Sequence, residues 1–432
     1  MHKNICTKKL HFAQLYHKHN HMLIVQKFGG TSVATTERIA AVANHVLREI
    51  KLGNQVIVVV SAMSGATDQL VGYVRDVSDL GEVEAYADHD LVVSSGEQVT
   101  AGLLALRLRS VGIPARAWAG WQVPIRTSEA YGKARIEHID TYAVQQSLNN
   151  GRVAVITGFQ GVTASGRITT LGRGGSDTSA VAIAAAFGAG RCDIYTDVDG
   201  VYTTDPRIVK DARKLEMVSY EEMLELASAG AKVLQTRSVE MAMNHNVRLQ
   251  VRTSFSELSG TTLVREEEML EKQRVTGLAY SRDDARITLS NVADKPGISA
   301  AIFGPLADSN VNVDMIVQNV TPDGQTTDVT FTVSRGELAT ALKCLEASQG
   351  KIGYKSIHHD ANVAKLSAVG VGMKSHAGVA QQMFKTLAEK GINIIVITTS
   401  EIKISVLIEE KYIELALRAL HDAYGLGVGA KQ

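Results

Sequence analysis

The sequence predicts a three-layer α/β domain with a mostly parallel sheet, followed by two interlaced βαββαβ modules of the ferredoxin-like type. Three observations predict this fold class. The chain has 432 residues, which is enough for about three domains. Its N-terminal part alternates apolar runs with helical stretches, and its C-terminal part repeats itself.

Apolar, β-branched runs between glycines or polar turns predict the strands of the first domain, at 23–28, 55–63, 152–159, 191–198 and 247–253. Runs that are apolar throughout suit strands covered on both faces, as in parallel sheets. The helices are predicted between these runs, at 35–50, 97–110, 135–148 and 176–187. Such an alternation indicates a three-layer domain whose ligands bind at the carboxyl ends of the strands.

The C-terminal part contains two copies of a predicted β-α-β-β-α unit, in which Gly297 matches Gly378 and Asn312 matches Asn393. A spare strand at 275–280 precedes the first copy. We expect it to join the sheet of the second copy, so that the modules are interlaced. The predicted division is a leader, a first domain, a linker and two modules, at 1–22, 23–265, 266–274, 275–360 and 361–432.

Composition and charge exclude several classes of protein. The 45 basic and 45 acidic side chains cancel, so the basic excess of duplex-binding proteins is missing and no nucleic-acid partner is expected. No apolar run approaches the roughly 18 residues that span a bilayer, so no membrane partner is expected. Cys6, Cys192 and Cys344 are too scattered for a disulfide framework or a zinc site, which favours a reducing, cytoplasmic location.

The leader is rich in histidine, with five of the 13 histidines of the chain in its first 21 positions. It has no continuous apolar core, so it is not a secretory signal. We expect it to be disordered, and a metal-binding arm is the alternative.

A glycine pair follows the first predicted strand, in the segment KFGGTSV at 27–33. Gly29 and Gly30 let backbone N–H groups approach an anion closely, and Lys27 adds a positive charge. An ordinary turn capped by Thr31 or Ser32 is an equally good interpretation of this segment alone.

The segment TTLGRGGSDTSA at 169–180 is a stronger anion-site signal. Glycines on both sides of Arg173 precede a predicted helix start, where free N–H groups and the helix dipole favour negative charge. Arg173 is suited to a bidentate contact with a carboxylate. Asp177 alone could be a helix cap, but a cap does not need three glycines and an arginine.

Four further segments place polar side chains near the ends of sheet elements: SAMSGATDQL at 61–70, SSGEQ at 94–98, YTDVDGVYTTDPR at 195–207 and AGAKVL at 229–234. Taken alone, each segment is explained at least as well by helix caps and turns as by a functional site. Together they bring Glu97 and Lys232 to the same region as Lys27 and Arg173. Lysines and glycine loops without a nucleophile–His–Asp arrangement favour phosphoryl transfer over hydrolysis.

These segments, with GFQG at 158–161 and the extension of AGAKVL to AGAKVLQTRSVE, resemble the signatures of the aspartokinases, within the amino-acid kinase superfamily, in that family's order. The doubled C-terminal module resembles the family's paired ACT regulatory domains. The resemblance runs from about Leu23 to the end of the chain. It implies that the domain at 23–265 is an amino-acid kinase catalytic domain and that both modules are ACT domains.

The resemblance implies ATP-dependent phosphorylation of the side-chain carboxylate of L-aspartate to 4-phospho-L-aspartate, the first step of lysine, threonine and methionine synthesis. It implies Mg²⁺ bound with the nucleotide and no separate metal site. The implied catalytic residues are Lys27, Asp177 and Lys232. The implied substrate-binding residues are Ser61, Thr67, Glu97 (on the ammonium) and Arg173 (on the α-carboxylate). The implied nucleotide-binding residues are Gly29, Gly30, Thr196, Asp197, Tyr202, Arg207, Lys232 and Val233.

For the modules, the resemblance implies feedback regulation by lysine, threonine or both, and a homo-oligomer or an α2β2 assembly built through the ACT domains. The implied effector positions are Asp294, Gly297, Ala300, Gln318, Val379, Ala380, Asn393, Ile394 and Ser400. Met269 is a candidate internal start for a small subunit. The alternatives are another kinase of the superfamily and a catalytically silent ACT sensor, which is expected to lack Lys27, Asp177 or Lys232.

Overall fold

The computed structural model describes residues 22–231, 233–269, 274–320, 325–375, 378–427 and 429. The predicted leader up to residue 21, residues 270–273 of the predicted linker, and Lys232 lie outside the described residues. The chain forms two compact units, of which the first comprises 22–201, 214–224 and 233–269. Segments 202–213 and 225–231, which the sequence-based division assigns to the domain at 23–265, pack in the second unit.

The strands of the first unit are β1 (Leu23–Phe28), β2 (Gln55–Val60), β3 (Ala115–Trp118), β4 (Ile125–Thr127), β5 (Ile136–Ile139), β6 (Val153–Thr157), β7 (Gln160–Val162), β8 (Ile168–Thr170), β9 (Arg191–Thr196), β10 (Met217–Ser219), β11 (Leu249–Thr253) and β12 (Thr261–Val264). Within the described residues, its main sheet has the order β10-β12-β11-β9-β1-β2-β6-β3. All neighbours are parallel except β11 and β12. The predicted, mostly parallel sheet is therefore confirmed. A smaller sheet has the order β5-β4-β7-β8.

The helices that begin in the first unit are α1 (Thr36–Lys51), α2 (Ala66–Val77), α3 (Val83–Val93), α4 (Ser95–Ser110), α5 (Tyr142–Asn149), α6 (Gly175–Ala186), α7 (Tyr220–Ser228) and α8 (Thr236–His245). Helices α1 and α4 pack Val46 and Leu104 against Val58 of β2 in one apolar core. Helix α6 has no described residue in that core and contacts β1, β2 and β9, so it covers the other face. Burial on both faces explains why β2 is apolar from Val56 to Val60.

The helix predicted at 135–148 is wrong in its first half. Residues Ile136–Ile139 form β5, which pairs with β4, and the helix begins only at Tyr142. The Asp140 side chain accepts a hydrogen bond from the Tyr142 N–H at 2.9 Å and so forms the turn between them. The three-residue spacing of Ile136 and Ile139 fits one face of a helix, which is why the pattern misled.

The second unit contains β13 (Gly277–Ser281), β14 (Asp284–Ala293), β15 (Val313–Val320), β16 (Thr326–Ser334), β17 (Ser356–Asp360), β18 (Val363–Val369), β19 (Val396–Thr399) and β20 (Lys403–Glu409). Its helices are α9 (Ile298–Asp308), α10 (Leu338–Ala347), α11 (Gln349–Ile352), α12 (Val379–Glu389) and α13 (Ile413–Ala423). Short 3-10 turns in the two units occupy Gly30–Val33, Glu266–Glu268, Arg335–Glu337, Val371–Ser375 and Glu410–Tyr412.

The described strands of the second unit form two antiparallel sheets, ordered β15-β16-β14-β17 and β13-β18-β20-β19. Strand β13 precedes all strands of the first sheet in the chain, yet it pairs with β18 over its whole length. Each sheet packs on its own pair of helices, α9 with α10 and α12 with α13. These are the two interlaced modules that the repeat predicts. No helix among the residues described above is long and apolar enough to cross a membrane.

The two modules also meet within this unit. Met315 of β15 joins Val363, Val396 and Leu407 of the second module in a small apolar cluster. Beside it, the buried Lys365 Nζ lies 2.7 Å from an Asp314 carboxylate oxygen and 3.7 Å from one of Asp284. A buried lysine held by two carboxylates of the other module links the modules through charge as well as through apolar packing.

Candidate active site

The carboxyl ends of β9, β1 and β2 lie side by side at one edge of the main sheet. The Ser61 N–H donates to the Phe28 carbonyl at 3.0 Å, and the Gly29 N–H donates to the Tyr195 carbonyl at 3.2 Å. The glycine turn after β1 is therefore hydrogen bonded at the strand ends on both sides. A Cβ atom at Gly30 would lie 3.1 Å from the Ala62 carbonyl, a tight contact that favours glycine there.

Lys27 and Asp177 form an ion pair at this edge, with Nζ and Oδ1 2.5 Å apart and both side chains nearly buried. Lys27 is on β1, and Asp177 is in the first turn of α6, where the helix dipole favours a carboxylate. Two residues that the sequence analysis singled out from distant motifs are thus in direct contact.

The glycine-rich segment before α6 has a backbone that other residues rarely adopt. Gly172 and Gly174 have φ angles of +77° and +70°. A Cβ atom at Gly174 would approach the Gln235 side chain to 2.0 Å, so this position excludes any larger residue. Arg173 between them is exposed and makes no ion pair within the described part of the chain. The segment therefore presents an arginine side chain at the start of a helix.

Glu97 lies at the start of α4 and is only 3% exposed. Its Oε1 accepts a hydrogen bond from the Ala62 N–H at 3.0 Å, while its buried Oε2 has no hydrogen-bond partner among the described residues. Burial raises the pKa of Glu97 to about 7. A buried carboxylate with a free oxygen is suited to an incoming cation, which would supply the missing partner.

Four other predicted substrate- and nucleotide-binding residues also lie in the first unit. Thr67 is half-buried in the first turn of α2, which follows the left-handed Gly65. Thr196 ends β9, and its hydroxyl donates to the exposed Asp197 carboxylate at 3.1 Å. Val233 is half-buried in the first unit.

Two predicted nucleotide residues lie in the second unit, and one catalytic residue is not described. Tyr202 is partly buried against the core of the second module. Arg207 is exposed and pairs with Asp205, with Nη2 and Oδ2 2.8 Å apart. The predicted division of the chain did not anticipate this placement. The predicted catalytic residue Lys232 lies outside the described residues.

The predicted effector positions occupy equivalent places in the two modules. Gly297 and Gly378 have φ angles of +90° and +100° and immediately precede α9 and α12. The exposed members of the set are Asp294, Ala300, Gln318, Asn393 and Ser400. By contrast, Val379 is 5% exposed, and its side chain, with the half-buried Ala380 and Ile394, packs in the module core. These three can offer a ligand mainly their backbone.

Sequence reasoning missed two residues that hold the glycine-rich segment. Asp90 in α3 is fully buried, and its carboxylate accepts hydrogen bonds from the Thr170 backbone and hydroxyl. The Arg237 guanidinium donates to the Leu171 and Ala134 carbonyls, at 2.9 Å and 2.8 Å. Asp90 sits in a helical pattern without glycine, so nothing in its surroundings marks it. Arg237 belongs to AGAKVLQTRSVE, where only the lysine and the valine drew attention.

Family models match both parts of the chain. Residues 22–253 match the amino acid kinase family, and residues 286–349 and 366–424 each match the ACT domain. Because the first match covers more than half of the chain, the fold and the site define an enzyme of the amino acid kinase family with ACT regulatory domains. The prediction of an enzyme with one amino-acid kinase domain and two ACT domains is confirmed.

Individual relatives narrow the class. The chain is 53% identical to the aspartokinase of Pseudomonas aeruginosa, with 95% of this chain and 99% of that one covered. It is 49% identical to the aspartokinase of Helicobacter pylori, with 94% and 100% covered. The chain belongs to the aspartokinases, as its motifs predict.

The structure is similar to that of E. coli aspartokinase III in complex with aspartate and ADP. The TM-score is 0.79 at 26% identity, with 93% of this chain and 99% of that one covered. For the same E. coli enzyme in complex with lysine and aspartate, the TM-score is 0.74 at 26% identity, with the same coverage.

Proposed function

We propose that this aspartokinase transfers the γ-phosphoryl group of ATP to the side-chain carboxylate of L-aspartate, giving 4-phospho-L-aspartate and ADP. A carboxylate oxygen of aspartate forms a bond to the γ-phosphorus, and the bond from that phosphorus to the bridging oxygen of ADP breaks. This reaction opens the synthesis of lysine, threonine and methionine from aspartate. A cytoplasmic location remains a prediction from the cysteine pattern.

The buried Oε2 of Glu97, which has no hydrogen-bond partner among the described residues, is the observation that carries the substrate assignment. Aspartate has one ammonium and two carboxylates, so its recognition needs an anion, a cation and hydrogen-bond donors. In this proposal Glu97 binds the ammonium and Arg173 binds the α-carboxylate. Thr67 and Ser61 donate hydrogen bonds to the remaining oxygens. The side-chain carboxylate is then left to react.

We assign Lys27 to the transferring phosphoryl group, because its charge lies beside the glycine turn. Asp177 orients Lys27 through their ion pair. Lys232 supplies the second positive charge at the transferring phosphoryl group. Phosphoryl transfer needs mainly positioning and charge neutralisation, which lysines and backbone N–H groups supply. The chemistry therefore requires no protein nucleophile.

The nucleotide is assigned to Gly29 and Gly30 of the glycine turn and to Thr196, Asp197 and Val233. Glycine at position 30 fits this assignment, since no side chain there shields the backbone N–H group from phosphate oxygens. Mg²⁺ bound with ATP would neutralise charge on the phosphate oxygens, and we assign it no protein ligand. Tyr202 and Arg207 stay predictions from the family resemblance.

The direct test is a hydroxylamine trap for acyl phosphate, with purified protein, Mg-ATP and L-aspartate. Hydroxamate that depends on both substrates is the expected result. ATP binding without hydroxamate from aspartate would contradict the substrate assignment. Hydroxamate from another carboxylate would then point to a different kinase of the family, and none from any carboxylate would point to the silent sensor.

Replacing Arg173 tests the proposed contact with the α-carboxylate. We expect Arg173→Ala to lower kcat/KM for aspartate by a factor that corresponds to about 2 kcal/mol or more, because a charged hydrogen-bonded pair loses one partner. Arg173→Lys should recover only part of the loss, since lysine cannot bind a carboxylate bidentately. The measurement is initial-rate kinetics with each substrate varied. Arg107→Ala, an exposed arginine on α4, is the control, and an equal loss there would remove the assignment.

We also propose that lysine, threonine or both inhibit the enzyme by binding at the effector positions of the ACT modules. The exposed carboxylate of Asp294 can meet an ammonium, and the backbone beside Gly297 and Gly378 can meet a carboxylate. The charge link through Lys365 would transmit a change in one module to the other. The assembly we propose is a homo-oligomer, or an α2β2 complex whose small subunit starts near Met269.

Adding lysine and threonine, singly and together, to the hydroxamate assay tests this regulation. We expect inhibition that corresponds to a coupling of about 1–3 kcal/mol between effector and substrate sites. The same coupling must appear in reverse, so aspartate should weaken effector binding measured by calorimetry. Rates that ignore both amino acids would leave the kinase in place and reduce the modules to a role in assembly.

A further inference from the structure

We propose that Asp90 is a positioning residue, which holds the glycine-rich segment 171–175 and thereby sets the direction of Arg173 toward the α-carboxylate of aspartate. This inference rests on the proposed role of Arg173. Asp90 itself is buried inside α3 and is not assigned a contact with substrate.

The Asp90 carboxylate uses both oxygens on the chain around the segment. Its Oδ2 accepts from the Gly132 N–H at 2.8 Å and from the Thr170 N–H at 2.6 Å. Its Oδ1 accepts from the Thr170 hydroxyl at 2.9 Å and lies 3.0 Å from His89 Nδ1. Hydrogen bonds to a carboxylate are shorter and stronger than neutral ones, so this contact fixes the backbone at Thr170 firmly.

Thr170 is the last residue of β8, directly before the glycine-rich segment. The second anchor, Gly132, is also next to that segment, because a Cβ atom at Gly172 would lie 3.1 Å from the Gly132 carbonyl. The Ala134 N–H donates to the Thr170 carbonyl at 2.9 Å. Asp90 therefore ties together the two stretches of chain that the segment touches as it leaves β8.

Arg237 holds the same region by donating hydrogen bonds, whereas Asp90 accepts them. Asp90 accepts from N–H groups at Thr170 and Gly132, whereas Arg237 donates to the carbonyls of Leu171 and Ala134. The segment that follows has left-handed glycines on both sides of Arg173, and glycine allows many backbone conformations. Because Asp90 holds N–H groups and Arg237 holds carbonyl groups beside this segment, its backbone can adopt fewer conformations. The direction of the exposed Arg173 side chain is restricted in turn.

A buried carboxylate is costly to maintain unless hydrogen bonds compensate for its lost hydration. An apolar residue in α3 would fill the same space without that penalty. It would leave the Thr170 and Gly132 N–H groups without acceptors and the start of the segment without a fixed direction. The position of Asp90 is thus better explained by orientation of the segment than by packing.

The test is Asp90→Asn, which keeps the size of the side chain but removes its charge and one of its two acceptor oxygens. We expect kcat/KM for aspartate to fall about 10- to 100-fold, as for a buried group left without its hydrogen-bond partner. The KM for ATP should change less than about threefold, since the hydrogen bonds of Asp90 among the described residues go to Thr170, Gly132 and His89 and not to the glycine turn after β1. Asp88→Asn is the matched control, because Asp88 is on the same helix, is exposed and pairs with Arg167 at the surface.

A double-mutant cycle with Arg173→Ala separates positioning from general support of the fold. If Asp90 acts through Arg173, the loss caused by Asp90→Asn should shrink to about twofold when Arg173 is already alanine, because coupled residues are not additive. Full additivity in kcat/KM for aspartate, or equal losses for aspartate and ATP, would overturn the inference. An unchanged rate in Arg173→Lys and Arg173→Ala would instead overturn the proposed role of Arg173. If Asp90→Asn does not fold, Thr170→Val, which removes one of the same hydrogen bonds, enters the cycle with a smaller expected loss.

Discussion

Replacing Lys27 by methionine is expected to abolish formation of aspartyl hydroxamate, with kcat reduced by about 100-fold or more. Electrostatic groups aimed at developing charge commonly contribute this much to a rate. The substitution should also lower the free energy of unfolding by about 3–5 kcal/mol, because it leaves the Asp177 carboxylate nearly buried without its cation. Rates in the hydroxylamine assay and urea unfolding measure the two effects separately.

The double variant Lys27→Met with Asp177→Asn distinguishes chemistry from stability. Removing both charges should restore most of the stability, since no unpaired buried charge remains. The activity should stay lost, because no cation faces the phosphoryl group. Lys51→Met, at the exposed end of α1, is the control for loss of a lysine. Recovery of activity in the double variant would show that Lys27 serves the fold alone.

Glu97→Gln should lower kcat/KM for aspartate by a factor that corresponds to about 2–5 kcal/mol, because the substrate ammonium loses its charged partner. In the wild-type enzyme, the pKa of about 7 makes this recognition dependent on pH. The carboxylate is charged above that pKa and protonated below it. We therefore expect kcat/KM for aspartate to fall about tenfold per pH unit below pH 7. The glutamine variant should lose this dependence.

The same substitution should stabilise the ligand-free protein at alkaline pH. The folded-state pKa of Glu97 is raised above the ordinary value of 4.5, so between those values folding is linked to proton uptake and stability falls as the pH rises. Above pH 7 the whole cost is present, on the order of 3 kcal/mol for a shift of this size. Glu97→Gln should therefore raise the melting temperature at pH 8 and leave it almost unchanged at pH 4.

Exposed Glu82, at the start of α3, provides the control for both effects. Glu82→Gln should alter neither the pH profile nor the melting temperature. If Glu97→Gln left the stability at pH 8 unchanged, the carboxylate would not be strained by burial. If Glu97→Gln lowered kcat/KM for aspartate no more than Glu82→Gln does, the assignment of the ammonium to Glu97 would fail.

The parts of the fold that the sequence predicted well are those with one dominant local signal. Strands β1 and β2 are almost entirely buried and lie where the runs at 23–28 and 55–63 place them. The glycine-rich segment before α6 was found because its backbone conformation excludes other residues. The repeat located both modules, since each copy must bury the same helix faces.

Contacts between distant segments could not be predicted in the same way. The partner of Glu97 is a backbone N–H at Ala62, which no side-chain pattern reveals. Asp90 looks like a polar residue on a helix, and only its neighbours in space show that it is buried. The strand at Ile136–Ile139 depends on pairing with β4, so its local spacing favoured the wrong structure. In each case the structure depends on contacts between segments that are distant in the sequence.

The pairing of β13 with β18 has a consequence for the order in which the chain can assemble during synthesis. All four strands of the first module lie between Asp284 and Asp360, so that module can close as soon as this stretch has left the ribosome. Strand β13 emerges earlier and has no neighbouring strand in its sheet until β18 follows. A segment that begins at residue 361 would therefore leave one edge of β18 without its neighbouring strand, whereas residues 284–360 contain all four strands of their own sheet.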